Sequence, residues 1–219
     1  MHTVCLVEDE IDLSNLIRMY LEKSGYKVIT FNKGSDALDY IGSECDIWIL
    51  DIMLGDDISG YDIIKAIRRE NSNVPVIFTS ARDQEIDKIL GLELGSDDYV
   101  TKPYSSKELV LRVNNIIKRT YKDEKEMIIK HEEYVVDAEK RVVTKDKKEI
   151  KLTTLEFDLL LLFLNNKHKS FSREEILNLV WGSDYFGSDR VVDDLIRRLR
   201  KKMPTLNLNT IYGYGYRLA

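Results

Sequence analysis

The chain is poor in the residues that mark several classes of protein. Two cysteines, Cys5 and Cys45, are too few for a disulfide framework and suit a reducing compartment. Three prolines and eleven glycines in 219 residues argue against a fold dominated by loops. The longest nearly apolar run, Leu159–Leu164, is too short to cross a bilayer, and the N-terminus lacks the pattern of a signal peptide. We therefore expect a globular cytoplasmic protein.

Charge is unevenly distributed along the chain. Residues 1–120 carry 14 Lys+Arg against 21 Asp+Glu, whereas residues 121–219 carry 19 against 17. The net charge of −5 would count against nucleic-acid binding by a single domain. An acidic first half and a mildly basic second half instead favour two domains with different partners.

Residues 1–120 alternate short apolar runs with segments of helical periodicity. Five strands are predicted, at Thr3–Val7, Lys27–Phe31, Ile47–Leu50, Val74–Phe78 and Asp98–Val100. Five helices follow them, at Ile11–Ser24, Ser35–Ile41, Tyr61–Arg69, Glu85–Leu94 and Ser105–Arg119. Strands rich in Val, Ile and Leu are typical of a parallel sheet covered on both faces. The pattern predicts an α/β doubly wound, five-stranded parallel sheet whose site lies beyond the carboxyl ends of the strands.

The pattern changes after a polar, charged segment, residues 121–126, which we interpret as a linker. Within residues 127–152, four short strand-like runs separated by charged turns predict an antiparallel meander. Three helices are predicted next, at Thr154–Asn165, Ser172–Val180 and Asp189–Lys202. Thr153 and Ser172 each precede a glutamate by three residues, which is the spacing of a capping box. Residues 208–218 predict a hairpin, so the second domain is α+β.

Acidic side chains follow two strands of the predicted parallel sheet. Glu8 and Asp9 follow the first strand, and Asp51 follows the third. Because clustered carboxylates repel one another, a divalent cation is their natural partner, and oxygen ligands with vacant positions suit Mg²⁺ and a phosphate. Lys102 follows the fifth strand and Ser80 ends the fourth. Together these residues predict a site for an aspartyl phosphate, in which Asp51 attacks and the cations and hydroxyl stabilise charge.

One alternative uses the same nucleophile. A phosphatase of the haloacid-dehalogenase type also carries an aspartate at a strand end, but it needs a second aspartate two residues later. Met53 occupies that position here, which argues against this class.

Residues 1–120 resemble the receiver domain of two-component response regulators, which has a flavodoxin-like fold. The resemblance is carried by four motifs: Val7–Glu10, Leu50–Leu54, Thr79–Arg82 and Asp97–Tyr104. It implies that Asp51 accepts phosphate from a sensor histidine kinase with Mg²⁺ as cofactor. It implies four metal ligands, with Glu8 acting through water and Met53 through its carbonyl: Glu8, Asp9, Asp51 and Met53. The implied switch residues are Ser80, Lys102 and Tyr99, and the Lys102–Pro103 bond is expected to be cis.

The same resemblance implies a homodimer formed on phosphorylation. Six charged residues match the positions that pair between subunits in this family: Lys88 with Glu108, Asp98 with Arg112, and Asp97 with Arg119. Surface charges at such spacing are often merely solvated. A two-fold interface would bring the second domains of two copies together as a symmetric pair.

The predicted helix at residues 189–202 has one apolar face and a strongly basic remainder. Five cations lie within Arg197–Lys202 and could contact DNA phosphates. A helix that ends a three-helix unit and precedes a hairpin suits insertion into the major groove. Charge alone is equally compatible with a solvated basic helix.

Residues 127–219 resemble the winged helix-turn-helix domain of the OmpR/PhoB family. The motifs are Leu152–Leu161, Phe171–Leu177, Val180–Gly182, Arg190–Asp193, Ile196–Lys202 and Gly213–Arg217. The resemblance implies binding of double-stranded DNA, and a loop around Trp181–Ser188 that contacts RNA polymerase. The candidate DNA contacts are Arg190, Arg197, Arg198, Arg200, Lys201, Tyr212 and Arg217.

Three positions depart from the family pattern. Leu195 replaces a frequent histidine, Asp194 replaces an apolar residue, and Tyr212 replaces an arginine of the wing that would enter a narrow minor groove. We therefore borrow no operator sequence from the family.

These observations predict a transcriptional regulator whose DNA binding is switched by phosphorylation of Asp51. One alternative is a DNA-binding regulator that works without phosphorylation and uses its first domain as a scaffold. The other is an enzyme acting on small phosphate esters, for which the sequence shows no substrate pocket. We therefore expect no enzymatic activity beyond the domain's own phosphorylation and slow dephosphorylation.

Overall fold

A computed structural model describes residues 1–55, 57–70, 73–81, 85–121, 128–182 and 190–219, without the side chains at 85, 86, 88 and 89. The chain divides into two compact units, Met1–Lys122 and Asp123–Ala219. The segment interpreted as a linker, 121–126, lies outside the described residues apart from Tyr121. Among the described helices, none has the length and apolar character needed to cross a membrane.

The first unit contains a five-stranded, wholly parallel sheet, as predicted. Its strands are β1 (Thr3–Val7), β2 (Lys27–Phe31), β3 (Ile47–Asp51), β4 (Val76–Ser80) and β5 (Asp98–Thr101). Their order is β2-β1-β3-β4-β5, which is the doubly wound arrangement. β4 begins two residues later than predicted, after Pro75, which has no N–H to donate to a neighbouring strand.

Helices cover both faces of this sheet. They are α1 (Ile11–Lys23), α2 (Gly34–Tyr40), α3 (Gly60–Glu70), α4 (Glu85–Glu93) and α5 (Ser106–Thr120). Alternate residues of β1 enter different cores: Val4 and Leu6 pack with α1 and α5, whereas Cys5 and Val7 pack with α2 and α3. This double covering explains the continuous apolar character of the central strands.

The second unit begins with the predicted meander. Four antiparallel strands, in sequential order, form it: β6 (Ile128–His131), β7 (Tyr134–Asp137), β8 (Val142–Lys145) and β9 (Lys148–Ile150). Three helices follow: α6 (Thr154–Leu164), α7 (Arg173–Val180) and α8 (Arg190–Lys202). A second sheet has the order β10-β12-β11 and contains β10 (Ser170–Ser172), β11 (Leu208–Ile211) and β12 (Gly215–Leu218).

Two capping boxes begin α6 and α7, as the sequence predicted. Thr153 and Glu156 cap α6 reciprocally, and Ser172 and Glu175 do the same for α7. The carboxylate of Glu156 also accepts a hydrogen bond of 2.6 Å from Lys202 Nζ, which connects the start of α6 to the end of α8. These contacts help to hold α8 in a defined position on the core of its unit.

Gly60 begins α3 at a point where a side chain does not fit. A Cβ atom there would lie 2.4 Å from the carbonyl oxygen of Asp51. Because the backbone of β3 would have to move, we expect Gly60→Ala to lower the free energy of unfolding of the first unit by about 2 kcal/mol. Urea unfolding followed by the fluorescence of Trp48, in a Trp181→Phe background, would measure the change. Glu70→Ala, at the exposed end of the same helix, is the control; equal stability of the two variants would contradict the prediction.

Candidate functional site

Three carboxylates meet at the carboxyl edge of the parallel sheet. Glu8 and Asp9 follow β1, and Asp51 is the last residue of β3. One ligand oxygen from each lies within 4.8 Å of those of the other two. Glu8 and Asp51 are 1% and 4% exposed, whereas Asp9 is exposed to solvent. The structure therefore brings together the acidic residues that the sequence singled out.

The Lys102 ammonium group lies between the two buried carboxylates. Its Nζ atom is 2.6 Å from Asp51 Oδ2 and 2.8 Å from Glu8 Oε2. Burial lowers the pKa of Lys102, but the hydrogen bonds to Asp51 and Glu8 outweigh this effect and the net pKa is raised. Lys102 is therefore a permanent positive charge in contact with the predicted nucleophile.

The Glu8 carboxyl group is buried beside Lys102 and close to Asp51. Burial raises its pKa to about 7; Lys102 opposes this shift, and the negative charge of Asp51 adds to it. One ammonium group does not fully compensate two buried carboxylates and their neighbour Asp9. A further cation at this edge would favour the ionised form of Glu8.

The remaining predicted residues of this site lie on β4, on β5 or just after β3. Ser80 is fully buried at the end of β4, and its carbonyl accepts a 2.7 Å hydrogen bond from the N–H of Lys102. The half-buried Tyr99 ring lies edge-on to Phe78, with centroids 6.4 Å apart. The N–H of Met53 donates to Asp51 Oδ1 at 2.9 Å. The Lys102–Pro103 bond is cis, as expected.

In the second unit, α8 separates apolar and charged side chains. Its buried residues are Val192, Leu195, Ile196 and Leu199. Arg190, Arg197 and Lys201 are exposed, and Arg198 is half-buried. Most of the predicted DNA-contact residues of this helix therefore face away from the core of the unit.

Two residues of α8 have roles within the unit that the sequence did not reveal. Leu195 is fully buried, so its departure from the family histidine changes the core and not the exposed face. The Arg200 guanidinium donates to the Leu208 carbonyl and to Thr210 Oγ1 at 2.5 and 3.0 Å. Arg200 thus joins α8 to β11, and its predicted contact with DNA remains untested.

The hairpin formed by β11 and β12 presents an exposed tip. Tyr212 is 94% exposed there, and Gly213 has a φ of +72°, a conformation that favours glycine. Tyr216 on β12 donates a 2.7 Å hydrogen bond to Asp193 Oδ1 on α8. This bond connects the hairpin to α8. The predicted contact loop for RNA polymerase lies outside the described residues, apart from Trp181 and Gly182.

Comparisons with known proteins agree with both halves of this description. Residues 4–114 match the family described as response regulator receiver domain, and residues 147–218 match transcriptional regulatory protein, C terminal. The chain is 49% identical to the transcriptional regulatory protein CssR of Bacillus subtilis, covering 99% of this chain and 98% of CssR. It is 36% identical to the response regulator SaeR of Staphylococcus aureus, covering 97% and 96%. The crystal structure of DrrB, described as a Thermotoga maritima OmpR/PhoB homolog, aligns with a TM-score of 0.53 at 31% identity, over 100% and 99% of the chains.

This chain is a two-component response regulator of the OmpR/PhoB family. Its partners are therefore a histidine kinase and DNA, and its first unit is a receiver domain. Receiver domains bind Mg²⁺ at an acidic site, and the carboxylate oxygens of this regulator fit that ion because Mg²⁺ prefers hard oxygen ligands. Asp9 Oδ2 also lies close to the loop after β3, since a Cβ atom on Gly55 would be 3.1 Å from it.

Five of the six charged residues proposed for a receiver dimer already have partners within this chain. Asp97 is 1% exposed and lies 3.3 Å from Arg119, and Asp98 lies 2.8 Å from Arg112. Arg112 also contacts Glu108 at 2.7 Å. The side chain of Lys88 is outside the described part of the receiver. The interchain pairs therefore remain predictions, and forming them would require these intrachain pairs to exchange.

Sequence reasoning missed two residues of the receiver. Arg68 on α3 donates to the carbonyls of Val74 and Gly95 and lies 3.7 Å from Asp97 Oδ2. Tyr104 is close enough to Glu8 that burial, and then that charge, raise its pKa to about 12. No local pattern could have identified Arg68, because its partners come from other elements. Tyr104 belongs to the motif Asp97–Tyr104, but its position two residues after Lys102 does not predict that it lies near Glu8.

Proposed function

We propose that this response regulator controls transcription by phosphorylation-dependent DNA binding, with Asp51 as the phosphoacceptor. The observation that carries the proposal is the 2.6 Å contact between Lys102 Nζ and Asp51 Oδ2 at the acidic edge of the sheet. A phosphoryl group would pass from the kinase histidine to a carboxylate oxygen of Asp51. A P–N bond breaks and a P–O bond forms, giving an acyl phosphate.

The surrounding residues suit a phosphoryl group on Asp51. Glu8, Asp9, Asp51 and the Met53 carbonyl would hold Mg²⁺, which when bound neutralises charge on the phosphoryl oxygens. Lys102 would transfer part of its hydrogen bonding from the Asp51 carboxylate to a phosphoryl oxygen. Ser80 would donate its hydroxyl hydrogen to another. These movements remove contacts that hold the unphosphorylated pocket together.

Phosphorylation would then shift the receiver between two conformations. Tyr99 would turn inward as Ser80 moves, and the face formed by α4, β5 and α5 would become favourable for pairing with a second copy. Asp97, Asp98, Glu108, Arg112 and Arg119 would exchange their present contacts for contacts across the two-fold axis, and Lys88 would pair with Glu108 of the second copy. The dimer would hold two DNA-binding domains together, each of which binds weakly alone. Its affinity for DNA with two repeated half-sites would therefore be higher.

The second unit would place α8 in the major groove and the hairpin tip against the backbone. Exposed cations on α8 would contact phosphates and base edges, Tyr212 would pack on sugar, and Arg217 would contact the backbone. The loop at Trp181–Ser188 would contact RNA polymerase. Because kinase and DNA are both reached in the cytoplasm, the regulator would act there, and it would have no enzymatic activity beyond its own phosphorylation cycle.

Light scattering with Mg²⁺, in the presence and absence of beryllium fluoride, tests the switch. Beryllium fluoride stands in for the phosphoryl group on Asp51. We expect conversion from monomer to dimer and a parallel gain in DNA affinity. A regulator that binds DNA equally tightly in both conditions would instead be independent of phosphorylation, and the proposal would be wrong.

Lys201 is exposed in the last turn of α8 and is expected to contact a phosphate. We expect Lys201→Ala to weaken binding to all DNA sequences alike. The slope of log affinity against log salt should fall by about 0.9 for each phosphate contact removed. Fluorescence anisotropy over a salt series would measure it. Lys148→Ala removes an exposed lysine on β9 and should leave the slope unchanged; equal slopes for both variants would show that α8 is not the binding helix.

A further inference from the structure

One carboxylate lies in the middle of the exposed cationic face of α8. Side chains advance by about 100° per residue along a helix, so residues three, four and seven apart share a face. Asp194 is four residues after Arg190, three before Arg197 and seven before Lys201. All three cations are exposed, and the Asp194 side chain is 33% exposed. Asp194 therefore belongs to the face that is proposed to enter the major groove.

The described part of the domain gives this carboxylate no strong structural contact. Asp194 Oδ1 accepts a hydrogen bond of 3.1 Å from Arg197 Nη2, but a pair three residues apart on an open helix face stabilises a domain very little. The neighbouring Asp193 is different, because it accepts hydrogen bonds of 2.7 Å from Arg173 Nε and from the hydroxyl of Tyr216. Asp193 has a structural role in joining α8 to α7 and β12, whereas within residues 128–182 and 190–219 the one contact of Asp194 is the exposed pair with Arg197.

A carboxylate on this face is costly near DNA unless it meets a hydrogen-bond donor. Phosphates repel it, and they are the main source of affinity for a basic helix. The donor that aspartate recognises in the major groove is the amino group on N4 of cytosine. Arginine recognises O6 and N7 of guanine in the same groove. The Asp194–Arg197 pair thus places a hydrogen-bond acceptor for cytosine next to a guanidinium group that can donate two hydrogen bonds to guanine.

We propose that Asp194 determines sequence specificity by accepting a hydrogen bond from the amino group of a cytosine in each half-site. The Asp194–Arg197 contact orients Arg197 toward a neighbouring guanine. This inference rests on the proposed function, in which α8 enters the major groove, and goes beyond it by naming the base that one residue reads. Asp194 contributes discrimination between sequences, and the surrounding cations contribute affinity.

Selection of binding sequences from a randomised duplex library tests the assignment. The full-length regulator would be used with Mg²⁺ and beryllium fluoride, and the selected duplexes would be sequenced. For the wild type we expect one cytosine per half-site whose replacement weakens binding about tenfold. Asp194→Asn should change the preferred base at that position to adenine, because asparagine pairs with N6 and N7 of adenine. Asp194→Ala should lose the cytosine preference and bind random DNA more tightly, since a repelling charge is gone.

Glu149→Ala is the matched control. Glu149 is an exposed carboxylate on β9, and its removal changes the net charge of the domain by the same amount. We expect its selected sequence to be that of the wild type. A wild-type consensus reproduced at every position by both Asp194 variants would overturn this inference alone. A wild type that selects no sequence would overturn the proposed function and the inference together.

Discussion

The Asp51→Asn variant should not dimerise in beryllium fluoride and should not be labelled by a phosphohistidine donor. An amide is a poor nucleophile and cannot form the acyl phosphate, so we expect a loss of at least ~100-fold in labelling. Asparagine matches aspartate in size, and Asp51 is 4% exposed, so packing at the end of β3 is preserved. Labelling with isotopic phosphate and light scattering would measure the two losses.

A nearby carboxylate provides the control for this prediction. Asp57 is exposed in the loop between β3 and α3. Asp57→Asn should be labelled and should dimerise like the wild type. If Asp51→Asn still dimerised in beryllium fluoride, the acidic edge of the sheet would not be the switch.

The second large effect is expected from removal of the Lys102 ammonium group. In Lys102→Ala, the carboxylates of Glu8 and Asp51 remain buried without the cation that now lies within 2.9 Å of both. Removing one partner from a buried ionic cluster leaves uncompensated charge, so the free energy of unfolding of the receiver should fall by about 3 kcal/mol. Urea unfolding followed by Trp48 fluorescence, with Trp181→Phe, would report the receiver alone.

Magnesium should restore much of this loss. An ion that binds only the folded cluster stabilises it according to its concentration, by about 2.7 kcal/mol at 100 times the dissociation constant. The exposed residue Lys107, on α5, supplies the control variant Lys107→Ala, which should match the wild type with and without the ion. A Lys102→Ala receiver that is as stable as the wild type without Mg²⁺ would contradict this account of the cluster.

Patterns that depend on neighbours in the chain were sufficient for much of the fold. Apolar runs such as Ile47–Leu50 predicted buried parallel strands. Charged residues at strand ends, such as Asp51 and Lys102, predicted a charged cluster at the carboxyl edge of the sheet. The two capping boxes were also visible, because their hydrogen bonds join residues only three apart. Among the described elements, β10 was the strand that was missed, since its last residue, Ser172, was already interpreted as the cap of α7.

Contacts between residues that are far apart in the chain could not be predicted from local sequence patterns. Arg68 approaches Asp97 across 29 positions of sequence, and Arg200 donates to the hairpin rather than pointing outward. Leu195 and Asp194 are adjacent departures from the family pattern, yet one is fully buried and the other lies on the exposed face. Helical periodicity places these two residues on different faces of α8. Only the packed core shows which of the two faces is buried and which is exposed.

The amino-acid sequence alone was enough to predict two folded units, the fold class of each, and the strand-end position of the acidic residues and Lys102. These properties follow from periodicity, capping and strand-end position, which are local. Tertiary packing decided which charges are compensated: Lys102 by Asp51 and Glu8, Asp97 by Arg119 and Arg68, and Asp193 by Arg173. Ionic contacts act over a few ångströms in space, and the folding of the chain determines which residues come that close.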